Sequence, residues 1–140
     1  MIKLTKLPDN ILQLMSKAVD YLQSCDDVLF AYLFGSLAKG SVVPLSDVDI
    51  AVYLSEKKDF SEKKVEILGS LNDILETDEI DLVILNTAPL SLEMKILENK
   101  TVLVDKDTFF RHRYESIVIR KYLDFSVMES AILSRRFLHG

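Results

Sequence analysis

Cysteine is almost missing from this chain. Cys25 stands alone among 140 residues, which excludes an intrachain disulfide and fits a reducing compartment; a buried, inert thiol is its expected state. Histidine is nearly as scarce. His112 and His139 have no cysteine cluster near them, so no zinc spacing exists and surface or helix-end positions are expected for both. Long apolar runs are missing too: stretches such as residues 28–34 and 82–85 fall far short of the roughly eighteen needed to cross a bilayer. The N-terminal MIKLTKLPDN has no apolar core followed by a small-residue cleavage site, so no secretory signal is expected and the cytoplasm is the expected location. No repeat, low-complexity tract or Gly/Ser linker divides the chain. One domain over residues 1–140 is expected, with a core over about 10–105 and a C-terminal helical extension over about 107–139.

Positive charge is also in short supply. A formal net charge of -5 argues against direct nucleic-acid binding, because phosphate contacts demand clustered Lys and Arg. The shortage is uneven, however. Residues 111–140 carry Arg111, Arg113, Arg120, Lys121, Arg135 and Arg136 against Glu115, Asp124 and Glu129, a net of +3, which leaves -8 for the rest. A basic tail on an acidic body suits a partner surface, a phosphate-facing edge or simply a solvated helix face.

What is present begins with periodicity. After Pro8-Asp9, residues Ile11, Leu12, Met15, Val19 and Leu22 recur at three- and four-residue steps, the spacing of a buried helix face. VLFAYLF, closed by Gly35-Ser36, reads as a buried strand, and a loop marked by Pro44 follows over residues 41–46. Residues 48–54 and 79–86 are strand-like and enclose a helix over about 60–76. A short helix over 89–99, a short strand over 101–104 and a long helical pattern from Asp107 complete the chain, with a break expected near Asp124-Phe125-Ser126. The fold class is α/β (α+β): a mixed sheet flanked by helices, its first two strands antiparallel because their link is short.

Three features carry chemistry. Gly35 and Ser36 lie where the first strand ends and a helix can begin, a position whose unpaired N–H groups suit phosphate, with Lys39 on the same turn. Alone, such a pair is more often a plain turn. Asp47 and Asp49 flank Val48 at the opening of a strand, so alternation points both carboxylates one way, and hard oxygen ligands of this kind suit Mg²⁺. Alone, they read as a turn cap and a solvated strand residue. Asp81 interrupts an apolar strand, which is costly without a partner. If that strand lies beside the one bearing Asp49, Asp81 reaches the same site; otherwise it is an edge residue facing water, like Glu79.

The order matters more than the pieces. G35-S36, ten residues, D47-x-D49, then an acid in a later strand resembles the DNA polymerase β-like nucleotidyltransferase superfamily, and GSLAKGSVVPLSDVDIAVYL looks most like the minimal nucleotidyltransferase (MNT) antitoxins of HEPN/MNT toxin–antitoxin pairs. The likeness covers roughly residues 10–105, and Ser46-Asp47 matches as well. It implies a polymerase β-like fold in which Gly35, Ser36, Lys39 and Ser46 bind ATP, while Asp47, Asp49 and Asp81 hold two Mg²⁺ ions and Asp81 acts on the incoming nucleophile. It further implies a type VII-like antitoxin whose partner is a cognate HEPN ribonuclease toxin, silenced when AMP is moved from ATP onto one of its tyrosines. Many relatives have Arg where this chain has Leu37 or Lys39, which puts the phosphate-contacting side chain in doubt. Two other readings stand beside this one: an inactive antitoxin that acts by binding through its basic C-terminal helix, and a nucleotidyltransferase acting on a small molecule. A serine hydrolase is set aside because Ser36 lacks the G-x-S-x-G context, and a P-loop because GSLAKGS does not match its pattern.

Overall fold

The computed structural model describes residues 10–35, 47–55 and 59–138. Helix α1 (Ile11–Ser24) buries Ile11, Leu14, Met15, Ala18 and Leu22. Leu12, expected on that face, is 63% exposed, because it sits one residue, or about 100°, around from Ile11; Leu14 and Ala18 hold the places instead. Cys25 caps α1, giving its N–H to the Leu22 carbonyl, and is partly exposed rather than buried.

Strands β1 (Val28–Phe34), β2 (Val48–Leu54), β3 (Ile80–Ile84) and β4 (Thr101–Asp105) form one sheet in the order β3-β2-β1-β4. β1 pairs antiparallel with β2, as the short link requires, and with β4; β2 and β3 are parallel. The parallel pair needs a crossover, supplied by α2 (Phe60–Leu75). Asp59 caps that helix by accepting from Ser61 and Glu62 N–H groups, and Glu76 ends it in the left-handed region at φ 54°.

Alternation along the strands builds two cores. Ala31, Leu33, Ile50, Val52, Leu82 and Ile84 face α1 and α2. Phe30, Tyr32, Phe34 and Ala51 face α3 (Leu90–Glu98) and the first turns of α4 (Thr108–Leu138), closing around Ile96, Leu97 and Val118.

Two expectations are corrected. β3 stops at Ile84, and Leu85–Thr87 forms a single 3₁₀ turn. The Asn86 amide side chain nevertheless bonds both the N–H and the carbonyl of Leu54, each at 2.9 Å, so a side chain continues the pairing that the backbone abandons. α4 runs unbroken for 31 residues, about 46 Å at the helical rise; neither Pro nor Gly stands near Asp124, and sharp kinks need such a cause. Beyond Val118 the helix leaves the body, and Leu123, Phe125, Val127, Met128, Ile132 and Leu133 are exposed. No helix among the described residues is long and apolar enough to cross a membrane.

Candidate active site

Phe34, the last residue of β1, pairs with Asp49 of β2, and Gly35 then turns the chain with φ +75°, a conformation glycine enters without steric cost. A second constraint acts at the same atom. A Cβ on Gly35 would overlap the Asp49 carboxylate, with Cγ only 3.0 Å away. The absence of a side chain here therefore lets both the turn form and the carboxylate lie against the strand end.

The start of β2 is fixed against β3. Val48 N–H donates to the Glu79 carbonyl at 2.9 Å, and the parallel register that follows sets Asp49 directly beside Asp81. In-register residues of neighbouring strands share a face at a spacing of about 4.8 Å. Asp49 is half-buried, Asp81 is exposed on the edge strand, and Asp47 is half-buried immediately before β2. Ile50 and Leu82, one residue further on, are buried in the opposite core. Exposure of Asp81 at the sheet edge is also what a solvated acid would show; its register with Asp49 is what that simpler reading leaves unexplained. Ser36, Lys39, Ser46 and the loop through Pro44 lie outside the described residues, as does His139. His112 is exposed, as expected.

Like charges side by side across a strand pair destabilise it, and a divalent cation reverses that sign. Among the described residues no group of three or more His, Cys, Asp or Glu is arranged to hold a metal ion, so Asp47, Asp49 and Asp81 do not meet as a three-carboxylate cluster. Mg²⁺ asks for less, taking one or two carboxylates and completing its shell with water and phosphate oxygens. The in-register pair of Asp49 and Asp81, beside a glycine that leaves room at the strand end, supplies carboxylates of that number.

The other end of the same sheet face is closed by groups the sequence reading missed. Tyr32, fully buried, donates its hydroxyl to Glu115 Oε2 at 2.5 Å. Glu115 also accepts from Arg111 Nη1 at 2.9 Å and lies 3.7 Å from Lys100 Nζ, while Arg111 Nε reaches Asp105 at 3.0 Å. Burial pushes the Tyr32 phenol well above its ordinary value, and its bond to the Glu115 carboxylate adds to the rise. Burial would lower Arg111, but its bonds to Glu115 and Asp105 outweigh that and hold it above the usual range. Tyr114 donates to Glu93 at 2.6 Å and packs on Phe30 and Tyr53. The available hint was a tyrosine inside an apolar strand, whose hydroxyl must find a partner when buried.

Comparison with known proteins agrees with this geometry. The family described as "Polymerase beta, Nucleotidyltransferase" matches residues 16–109. A candidate protein adenylyltransferase of Methanocaldococcus jannaschii is 28% identical over 130 residues, covering 80% of this chain and 82% of that one. Among solved structures, a chain of a toxin–antitoxin with AMP-PNP superposes with a TM-score of 0.70 at 23% identity, covering 87% of this chain and 94% of that one. A chain of the complex between the tri-AMPylated HEPN toxin of Shewanella oneidensis and its MNT antitoxin gives 0.61 at 21% identity, covering 90% and 92%. At those identities the likeness shows the fold.

Proposed function

The chain belongs to the polymerase β nucleotidyltransferase family, and from that premise we propose that it transfers AMP from ATP to a tyrosine hydroxyl of a cognate HEPN ribonuclease toxin, and thereby acts as an antitoxin. The observation that carries the reading is the row formed by Gly35, Asp49 and Asp81 at adjoining strand ends. The relatives point the same way, since one is named for protein adenylyl transfer and others sit in toxin–antitoxin complexes.

In this proposal the turn at Gly35 and Ser36 approaches the triphosphate, with Lys39 and Ser46 beside it. Asp47, Asp49 and Asp81 would hold two Mg²⁺ ions. When bound, the ions neutralise charge on the phosphates and favour the ionised acceptor hydroxyl. Asp81, being outermost, is placed to take the acceptor's proton. The exclusion of Cβ at Gly35 keeps Asp49 in its orientation.

Labelled ATP and Mg²⁺, with a candidate HEPN toxin as the acceptor, provide the test. Transfer of label to that protein is expected, and Asp47→Asn combined with Asp49→Asn is expected to abolish it. Labelling that survives both changes overturns the mechanism.

A second reading has its own observation. The exposed apolar side chains of α4 beyond Val118 suit an antitoxin that neutralises by binding. There, the doubly substituted chain still protects cells from the toxin, whereas a chain ending at Ile119 does not.

A further inference from the structure

A groove of about 430 Å³ follows the outer edge of β3. Phe60 and Lys64 from the first turns of α2 form one wall, Thr87 and Leu92 the other, and the strand from Asp81 through Val83 makes the floor. Phe60 packs against one core and Leu92 against the other, so the groove crosses the sheet edge between the two helical layers. Asp81 therefore has two surroundings: it adjoins Asp49 on β2, and it also lines a cleft that leads away from the carboxylates.

We propose that this groove binds the acceptor as an extended segment of the partner protein, its hydroxyl residue held at Asp81. The proposal rests on the nucleotidyl-transfer reading above. Its first support is the order across the sheet. Gly35 belongs to β1, Asp49 to β2 and Asp81 to β3, in spatial succession. With the triphosphate on the Gly35 side, the leaving pyrophosphate departs on that side, and an in-line displacement brings the attacking oxygen from the opposite one. The groove opens there.

The step balances within those groups. The acceptor oxygen forms a bond to the α-phosphorus of ATP. The bond from that phosphorus to the bridging oxygen of the β-phosphate breaks, and its electron pair leaves with pyrophosphate. The hydroxyl proton passes to the Asp81 carboxylate and on to water.

The second support is shape and chemistry. β3 is an edge strand among the described residues, and outward N–H and C=O groups of an edge can pair with an added strand. From Asp81 to Ile84 the floor spans about 10 Å at the strand rise, the length of a few extended residues. Val83 and Leu92 offer apolar contact in the middle, and the exposed Lys64 gives a positive rim. The matching acceptor presents a hydroxyl residue, an apolar side chain about two residues away in the strand alternation, and an acidic group near Lys64.

Lys64→Glu and Leu92→Glu test this in the full chain. The probe is the HEPN toxin that accepts label in the transfer assay, titrated against transfer of labelled AMP, with Mg²⁺-dependent affinity for AMP-PNP measured in parallel. Lys64→Glu, on the helix surface, is expected to raise KM for the acceptor about tenfold or more while kcat, the melting temperature and AMP-PNP affinity hold, the pattern of lost acceptor binding alone; Leu92→Glu is expected to raise KM as well, with a lower melting temperature because Leu92 packs against the core. A photo-crosslinking residue at Thr87 is expected to capture the segment that becomes labelled. Unchanged KM in Lys64→Glu, or capture of some other part of the partner, overturns the groove assignment. A wild-type chain that transfers nothing overturns the underlying reading instead, so the two failures are distinct.

Discussion

One face of the sheet has two unlike ends. At one end Asp49 and Asp81 lie side by side across β2 and β3, Asp49 half-buried and Asp81 exposed on the edge strand. At the other, Phe30 and Tyr53 stack with centroids 5.0 Å apart, Phe110 and Tyr114 close over them, and Tyr32 is locked to Glu115. The same strand carries both: β2 has Asp49 near its start and Tyr53 near its end, two alternations apart on a single face. The difference teaches where this fold keeps its stability. Burial and satisfied hydrogen bonds sit at the closed end, whereas the two acids of the other end stand in register at the margin of the sheet.

If that division is real, substitutions at the two ends should have opposite consequences. The largest effect is expected from Asp49→Asn. If Asp49 holds Mg²⁺ as proposed, its loss would remove several kcal/mol of transition-state stabilisation, on the order of 10⁴ in the rate of AMP transfer at about 1.4 kcal/mol per factor of ten. Chemical denaturation should show a far smaller loss of stability than truncation of a core side chain, because the amide keeps the shape of this half-buried carboxylate. A large destabilisation would mean that the open end is part of the structural frame, and the comparison would collapse. Phe30→Ala should do the reverse, costing about 3 to 5 kcal/mol of stability, while the folded fraction at low temperature keeps its affinity for Mg²⁺ and AMP-PNP.

The two ends also differ in how far the sequence disclosed them. Gly35, Asp49 and Asp81 were legible because each obeys a local rule: glycine at a strand end, alternation within a strand, a carboxylate interrupting an apolar run. The mixed sheet followed from the short link between the first two strands, whereas β2 beside β3 stayed a condition that only the structure meets. The closed end depends on contacts between distant positions. Tyr32 and Glu115 are 83 residues apart, and no period or motif links them. Asn86 is a related case: its residue type fitted a strand end, but its side chain rather than its backbone makes the pairing with Leu54. The unbroken α4 misled for a different reason. Helix length was judged by what small domains usually contain, whereas continuity depends on local breakers, and the sequence around Asp124 has none.

A smaller effect separates hydrogen bonding from packing at the closed end. Tyr32→Phe keeps the ring against Phe30 and removes only the hydroxyl, leaving Glu115 with Arg111 and Lys100. A stability loss of about 1 to 2 kcal/mol is expected, since a hydrogen bond to a charged group is lost but its acceptor stays paired. Equilibrium unfolding in urea measures it, and AMP transfer should not change. A loss as large as that of Phe30→Ala would show that the polar network, and not the aromatic stack, holds α4 to the sheet.

The smallest effect at neutral pH becomes visible only in alkali. Tyr32 and Tyr114 are both pushed above the ordinary phenol range, in each case first by burial and then by a carboxylate partner, Glu115 or Glu93. A group whose folded pKa lies above its unfolded value favours the folded state in its protonated form, so this contribution is fully present below the unfolded phenol value of about 10. It is lost as pH rises beyond that point, because the unfolded chain ionises first and is stabilised by doing so. Stability should therefore fall above about pH 10 by up to about 1.4 kcal/mol per pH unit for each phenol. Tyr32→Phe should make the slope shallower, and Tyr32→Phe with Tyr114→Phe shallower still, in urea titrations repeated across that range. Asp49→Asn should leave the alkaline slope untouched. An alkaline slope that is the same in wild type and in the double phenylalanine variant would show that the closed end does not exclude water from these hydroxyls, and with that the contrast between the two ends would lose its physical basis.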